Sequence, residues 1–283
     1  MRYTRIHAAR QVGRNLLFQE NCLASKIKFN TADCLGLLSA AALVAIDAFL
    51  HARSLADFRR LALALGITTA FALFAWFARG VNWSGMIAGA AIAFLLAARD
   101  LRMFWILLLV FAITLTATHT GKIRKQELRA AEKSGGRTSA QVMANLGLAG
   151  LIVATAPRGW EILALAALAE ATADTSSSEI GMAYPAKTVL LTSWKAVAPG
   201  VDGGVSVNGT IAALLGAGAI SAAAVLMNLV SSSHGLAIMS AGVLGSLADS
   251  ALGALLERRG LLTNDLVNFI STAVAVVLVQ VLI

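Results

Sequence analysis

The sequence predicts an all-α, polytopic integral membrane protein, and three observations support this fold class. Hydrophobic residues make up 58% of the 283 residues and charged residues only 13%, whereas soluble domains carry about 25% charged residues. The mean hydropathy is +0.76. Apolar runs of roughly 15–23 residues recur along the chain, and a membrane-spanning helix needs about 20 such residues.

Nine apolar windows predict about nine membrane helices, preceded by a basic segment. The sixth window is short for a bilayer, so we expect that helix to extend beyond residue 174 or to be discontinuous. Glycines at Gly85 and Gly89 permit close helix packing, within the chain or in a homodimer. In chain order the windows are 33–50, 61–78, 83–98, 103–118, 141–156, 160–174, 205–227, 235–256 and 264–283.

The distribution of Lys and Arg predicts the orientation of these helices. With the N-terminus in the cytoplasm, 17 of the 23 Lys and Arg residues fall on the inner side and 6 on the outer side. We therefore expect the N-terminus inside and the C-terminus outside. The net charge of +8 is then explained by topology, and nucleic-acid binding is not expected.

The polar residues of five predicted helices all lie near the cytoplasmic side. Transmembrane carboxylates are costly and are therefore functional candidates. Asp249 lies well inside an apolar run, with Gly245 and Gly253 one turn away on the same helix face. Small residues there let another helix approach closely, so we expect Asp249 to face the protein interior. Helix capping is the simpler role for Ser206 and Asn264. The polar residues are Gln141, Asn145, Glu170, Thr172, Asp174, Ser206, Asn208, Asp249, Ser250, Asn264, Asp265 and Asn268.

Two glycine-rich loops precede helices and are candidate phosphate sites. In KAVAPGVDGGVSVNG (195–209), Lys195 comes before a turn containing Gly200, Asp202, Gly203 and Gly204. Backbone N–H groups in such turns, together with a helix N-terminus, can bind anions. The loop EKSGGRTSAQVMAN (132–145) has the same pattern, and a simple membrane anchor with a turn is the alternative. A Walker motif is absent from the sequence, which excludes a P-loop site. The candidates in the second loop are Lys133, Gly136 and Arg137.

The segment EATADTSSSEIG (170–181) places three acids at the end of an apolar run. Glu170 and Asp174 are four residues apart and share a helix face. Two carboxylates that close favour a bound cation, and Mg²⁺ held by carboxylates and substrate phosphates fits this pattern. Glu179 either joins the metal site or closes a capping box with Ser176 at a helix start.

Four stretches in order resemble the integral-membrane family known as domain of unknown function 92: KSGGRTSAQVMAN (133–145), EATADTSSSEIG (170–181), PGVDGGVSVNGT (199–210) and the segment 242–272. The family includes transmembrane protein 19-like proteins and a plant phytyl-phosphate kinase. The resemblance covers roughly residues 60–283. The basic, acid-poor composition of residues 1–32 predicts a cytoplasmic or interfacial arm, with a transit peptide as the alternative. The resemblance leaves residues 33–60 as an extra first helix and loop, and assigns 61–283 to the family membrane domain.

The resemblance implies a kinase that phosphorylates an isoprenoid monophosphate to its diphosphate with a nucleoside triphosphate, CTP being expected, and with Mg²⁺. The expected membrane is the inner or cytoplasmic membrane, with the site facing the cytoplasm. The alternatives are a CTP-dependent lipid-phosphate nucleotidyltransferase and a non-enzymatic ion or lipid-phosphate transporter. The expected catalytic residues are Asp174, Lys195 and Asp249; the metal candidates are Glu170, Asp174, Glu179, Asp249 and Asp265; the phosphate and nucleotide candidates are Lys133, Gly136, Arg137, Asn145, Lys195, Gly200, Asp202, Gly203, Gly204 and Ser206.

Overall fold

The structure is a computed structural model that describes residues 31–50, 58–128, 136–156, 158–184 and 187–283. Within these ranges the chain forms ten α-helices, a small sheet and one 3₁₀ turn (Glu257–Arg259). The helices are α1 (Thr31–Leu50), α2 (Phe58–Phe77), α3 (Trp83–Arg99), α4 (Leu101–His119), α5 (Lys122–Glu127), α6 (Ser139–Thr155), α7 (Trp160–Ala183), α8 (Val207–Leu226), α9 (Ser232–Leu255) and α10 (Asn264–Leu282). The strands are β1 (Thr188–Leu190), β2 (Ala196–Val197) and β3 (Gly204–Ser206).

Every predicted apolar window coincides with one long helix, which confirms the predicted all-α membrane fold class. Among the described residues, α1, α2, α4, α8, α9 and α10 are long and apolar enough to cross a membrane. Helices α3 and α6 are apolar but have only 17 residues each. Nine spans, the orientation of the termini and the division into an arm, an extra helix and a membrane domain remain predictions.

Helix α7 is the centre of the bundle and packs against α4, α6, α8, α9 and α10. Small side chains make this possible, because residues 164–173 are all buried and six of them are alanine. Glycines on α9 shorten the approach further: a Cβ on Gly242 would lie 3.0 Å from the backbone carbon of Ala169. Membrane helices gain van der Waals contact through such small residues. The sixth window therefore continues to residue 183 as one uninterrupted helix.

Helix α1 packs closely on the membrane domain through Asp33 and Gly36. The hydroxyl of Ser139 donates to the backbone oxygen of Asp33 at 2.8 Å, and the hydroxyl of Ser84 donates to its carboxylate at 3.2 Å. A Cβ on Gly36 would lie only 2.7 Å from the backbone of Ser139. The first helix is thus fitted against the start of α6, next to the loop that carries Arg137.

One end of the bundle is closed by arginines that bind the carbonyls at helix C-termini. Arg99 donates to the Ala156 oxygen at 3.0 Å and stacks over the Trp160 ring. Arg102 donates to the oxygens of Met227 and Asn228 at 3.1 Å each. Cations are favourable there because the last turn of a helix exposes unpaired carbonyls. These outer-side arginines of the predicted topology therefore have a structural function.

The opposite end carries the small antiparallel sheet, in the order β2-β1-β3. Val189 of β1 pairs with Ala196 of β2 and with Val205 of β3. Strand β3 runs directly into α8, whose N-cap Ser206 accepts a hydrogen bond from the Gly209 N–H at 3.2 Å. The predicted capping role of Ser206 is confirmed, whereas the cap of α10 is Thr263 and not Asn264.

Candidate functional site

A polar cavity of about 400 Å³ opens at the end of the bundle that carries the sheet. It lies between α6, α7, α9, α10 and the loop before β3. The sequence predicted ten of its lining residues as site candidates, although they are distant in the chain. These are Arg137, Asn145, Asp174, Glu179, Gly200, Asp202, Gly203, Gly204, Ser206 and Asp249.

The lining of this cavity is rich in acidic side chains. Five carboxylates line its described wall (Asp174, Glu179, Asp202, Asp249 and Glu257), whereas the cationic side chain in the same lining is Arg137. A phosphorylated ligand would be repelled by such a wall unless cations came with it. The cavity therefore fits a phosphate group together with a divalent metal ion better than a free phosphate.

Asp249 is held by a polar network that joins α6, α9 and α10. The hydroxyl of Ser271 donates to Asp249 Oδ2 at 3.2 Å. With its amide nitrogen directed at the acceptors, Asn268 also donates to Asp249 Oδ2 at 3.2 Å and accepts from Asn145 Nδ2 at 3.2 Å. These donors fix the carboxylate at the cavity wall, as a ligand-binding group requires.

Glu170 lies directly beneath the cavity wall and is only 1% exposed. Its Oε2 accepts a hydrogen bond from the Thr272 hydroxyl at 2.8 Å, whereas its Oε1 has no partner within the described part of the chain. Gly245 of α9 leaves room for this side chain, since a Cβ there would lie 2.6 Å from Glu170 Cγ. The predicted close approach of another helix at Gly245 is thus observed. The space left by Gly245 is occupied by Glu170, whose buried carboxylate lies beside Asp174 and Asp249.

The acids suit a metal ion that is shared with a substrate better than a closed protein cage. In the ranges that the structure describes, no group of three or more His, Cys, Asp or Glu side chains converges closely enough to bind an ion alone. Mg²⁺ commonly uses one or two carboxylates and completes its shell with phosphates and water. Asp174 and Asp249 face the cavity in this way, and the unpaired oxygen of Glu170 lies behind them. The residues present therefore fit Mg²⁺.

Glu179 is already paired, with a lysine that the sequence analysis did not identify. Lys125 Nζ donates to Glu179 Oε2 at 2.6 Å and to the oxygens of Ala117 and Thr118 at 3.1 and 2.7 Å. Lys125 is 2% exposed. The capping-box interpretation of Glu179 is wrong, because Ser176 lies in the middle of α7 and starts no helix. The sequence does not single out Lys125, because its six-residue helix is too short to show a distinct apolar pattern.

The glycine-rich loop lines the cavity and lies directly on α9. Gly200 and Gly203 have left-handed backbones with φ of 85° and 75°. A Cβ on Gly253 would lie 3.0 Å from the Gly203 nitrogen. At Gly253, therefore, this loop approaches α9 closely, and not another helix as predicted. The Gly204 N–H donates to the Val201 oxygen at 2.9 Å. It therefore holds the turn itself and is not available to a phosphate.

Replacing Gly203 should disturb this loop for two reasons: its left-handed backbone conformation favours glycine, and it lies in close contact with α9. A Cβ there would lie 2.4 Å from Ala254 Cβ, so in Gly203→Ala the loop must move away from α9. We expect the melting temperature to fall and the loop to become more sensitive to protease, because both the left-handed backbone and the contact with α9 are strained by the added Cβ. Gly260→Ala is the matched control, because Gly260 has φ of 70° but open space around it. Equal effects of the two variants would show that the contact with α9 is unimportant.

The backbone of Arg137 forms hydrogen bonds with the segment that joins α2 to α3. Its N–H donates to the Gly80 oxygen at 3.1 Å, and its oxygen accepts from the Asn82 N–H at 2.9 Å. The preceding Gly136 has φ of 81°, and a Cβ there would lie 2.6 Å from the backbone of Val81. Gly136 thus supports the loop, and the Arg137 side chain reaches the cavity near Asp174.

Four predicted site residues within the described ranges are not part of the cavity lining: Gly136, Glu170, Lys195 and Asp265. Lys195 is exposed at the turn between β1 and β2. Asp265 lies on the first turn of α10 within electrostatic range of Asp33. Lys133 lies outside the described residues. Glu257 also lines the wall and was not among the predicted site residues.

Comparison with known proteins identifies relatives along most of the chain. The family model described as integral membrane protein DUF92 matches residues 66–276. An uncharacterized membrane protein of Methanocaldococcus jannaschii is 38% identical over 120 residues, which are 41% of this chain and 48% of that protein. An uncharacterized membrane protein of Synechocystis is 30% identical over 62% of this chain and 72% of its own length. The chloroplastic protein VTE6 of Arabidopsis thaliana is 27% identical over 65% of this chain and 60% of its own length. No solved structure matches the chain.

Proposed function

The chain belongs to the DUF92 family of integral membrane proteins, and from this premise we propose that it is a prenyl-phosphate kinase. It would transfer a phosphoryl group from a nucleoside triphosphate, CTP being the expected donor, to an isoprenoid monophosphate such as phytyl phosphate. The resemblance to a family with a plant phytyl-phosphate kinase and the similarity to VTE6 support this substrate class.

The observation that carries the proposal is the acidic cavity with Arg137 at the end of an apolar bundle. A lipid phosphate and a water-soluble nucleotide can meet only at a boundary between the membrane interior and water. Phosphoryl transfer depends mainly on positioning and on neutralising phosphate charge. The cavity combines carboxylates that could bind a metal ion, an arginine that could bind a phosphate, and a glycine-rich loop whose backbone lies at the cavity wall.

The proposed reaction forms one bond and breaks one bond at the γ-phosphorus. An anionic oxygen of the lipid phosphate attacks this atom, the bond to the β–γ bridging oxygen breaks, and the nucleoside diphosphate leaves with that electron pair. The attacking oxygen needs no general base, because the second pKa of a phosphate monoester is about 6. The products are a prenyl diphosphate and a nucleoside diphosphate.

In this proposal each group of the cavity has a defined task. Asp174 and Asp249 would hold Mg²⁺, with Glu170 supporting them from beneath. Mg²⁺, when bound, neutralises the charge of the donor phosphates. Arg137 would orient the acceptor phosphate, since a guanidinium binds two phosphate oxygens at once. The loop at 200–204 would cover the nucleotide. The positive-inside rule predicts that this end of the bundle faces the cytoplasm.

Product analysis tests the proposal. The purified protein in lipid nanodiscs is incubated with Mg²⁺, phytyl or geranylgeranyl monophosphate, and CTP, ATP, GTP or UTP in turn. We expect a lipid product heavier by one phosphate, together with one nucleoside diphosphate per lipid. A lipid that carries the nucleotide, with release of diphosphate, would establish nucleotidyl transfer instead. If no nucleotide of the panel reacts and proteoliposomes move the lipid phosphate, the protein is a transporter.

A further inference from the structure

A second, apolar cavity lies beside the polar one, between α2, α3, α4 and α6, and extends to Ala171 of α7. It has a volume of about 90 Å³. Along α4 its lining runs from Leu107 to His119, a distance of about 18 Å at 1.5 Å per residue. So small a volume over such a length describes a narrow cleft, which a hydrocarbon chain would have to widen in order to enter.

The walls of this cleft are apolar and its mouth is basic. Phe71 of α2 forms the deep part of the wall and contacts Phe104 and Phe111 edge-to-face, with ring centroids 5.7 and 5.2 Å apart. At the other end of the cleft the lining includes Arg79, His119 and Arg137. A cleft with this pattern is complementary to an amphipathic anion, whose tail fills the apolar part and whose charge stays at the mouth.

The cleft and the polar cavity meet at shared residues. Arg137, Gln141 and Asn145 line both. A phosphate beside Arg137 would therefore face the carboxylates of the polar cavity while its hydrocarbon chain entered the cleft. The shared wall would place the phosphate group of such a ligand next to the bound nucleotide and keep its hydrocarbon tail out of water.

We propose that this cleft binds the hydrocarbon tail of a single-chain lipid monophosphate, with the phosphate group beside Arg137. The identity of this ligand as the acceptor rests on the proposed kinase function, whereas its binding does not. A wider groove between α4, α7 and α8, of about 730 Å³, is the competing position. Its described lining contains no Lys, Arg or His side chain, so it offers no counter-charge to a phosphate.

Photolabelling of the full chain in nanodiscs locates the tail without any turnover. The probe is geranylgeranyl monophosphate with a diazirine at the end of its tail, used without nucleotide. We expect labelled peptides from the middle of α2 and α4, around Phe71 and Leu107, and competition by unlabelled geranylgeranyl monophosphate. Labelling of α8 around Ile211 and Leu215, or labelling that an excess of unlabelled lipid does not reduce, would overturn the proposal.

Gly89 is a position from which an added side chain would fill the cleft. It lines the cleft, and a Cβ there would meet nothing within 4 Å. In Gly89→Leu we expect the lipid concentration for half-maximal labelling to rise at least about tenfold, since hydrophobic pockets discriminate to this extent for small changes in volume. The matched control is Gly66→Leu, which also adds a side chain in open space but lies outside the cleft, and should change labelling less than twofold.

The outcomes for the cleft and for the kinase are separable. Labelling in the cleft without phosphoryl transfer would retain the lipid site and reject the kinase. Phosphoryl transfer that Gly89→Leu leaves unchanged, with labelling on α8, would retain the kinase and reject the cleft. A Gly89→Leu protein that keeps its melting temperature but loses lipid binding supports the cleft directly.

Discussion

Asp174→Asn should lower phosphoryl transfer by at least about a hundredfold while leaving the fold intact. The amide is nearly the same size as the carboxylate but has no charge to bind Mg²⁺. Removing one preorganised electrostatic group from an active site commonly costs this much in kcat. The measurement is the initial rate of lipid diphosphate formation by the purified variant at saturating nucleotide and lipid phosphate.

Folding and metal binding are measured separately for this variant. The wild-type melting temperature should rise when Mg²⁺ and nucleotide are added together, because a ligand that binds the folded state stabilises it. Asp174→Asn should lose this rise, and its unliganded melting temperature should be no lower than that of the wild type, since the amide relieves repulsion from nearby Glu170. Glu161→Gln, at the other end of the same helix, is the control and should behave as wild type. Normal turnover in Asp174→Asn would remove Asp174 from the site.

Lys125→Met should destabilise the protein by about 3–5 kcal/mol, the usual cost of leaving one partner of a buried ion pair uncompensated. Lys125 satisfies three acceptors: the Glu179 carboxylate and the last carbonyls of α4. Methionine fills a similar volume but donates to none of them. Thermal unfolding in detergent measures the effect, and the expected decrease in melting temperature is several degrees.

A double-mutant cycle measures the interaction free energy between Lys125 and Glu179. Lys125→Met with Glu179→Gln should be more stable than Lys125→Met alone, because no unpaired carboxylate then remains beside Ala117 and Thr118. Lys122→Met, an exposed lysine on the same short helix, is the control and should change the melting temperature little. If the two lysine variants were equally stable, the ion pair would not contribute to stability.

The helices were predictable from the sequence because a bilayer imposes long apolar runs. All nine windows coincide with helices to within a few residues, apart from the sixth, which continues through Asp174 and Glu179 to residue 183. Hydropathy cannot follow that extension, because the polar residues of α7 face other protein elements and not lipid. The short helix α5 and the sheet at 188–206 were not predicted, since elements of two to six residues have too few positions for a periodic signal.

The convergence of the site was partly predictable from topology alone. Placing Asn145, Asp174, Ser206 and Asp249 at one membrane side was enough to anticipate one cavity, and Gly245 and Gly253 indicated close contacts on α9. Contacts that depend on the direction of a side chain could not be predicted from the sequence. Lys125 reaches Glu179 across 54 positions of sequence, and the turn that removes Lys195 from the cavity wall depends on the register of β1 and β2.

Doubly labelled CTP, with one phosphorus isotope at the α-position and another at the γ-position, tests the central proposal most directly. The protein in nanodiscs is mixed with this nucleotide, Mg²⁺ and phytyl monophosphate, and both isotopes are counted in the extracted lipid. The proposed kinase predicts the γ-label in phytyl diphosphate, no α-label in lipid, and loss of the γ-label in Asp174→Asn. An α-label in the lipid, or a nucleotide pool that stays intact while wild-type protein binds lipid phosphate, would contradict it.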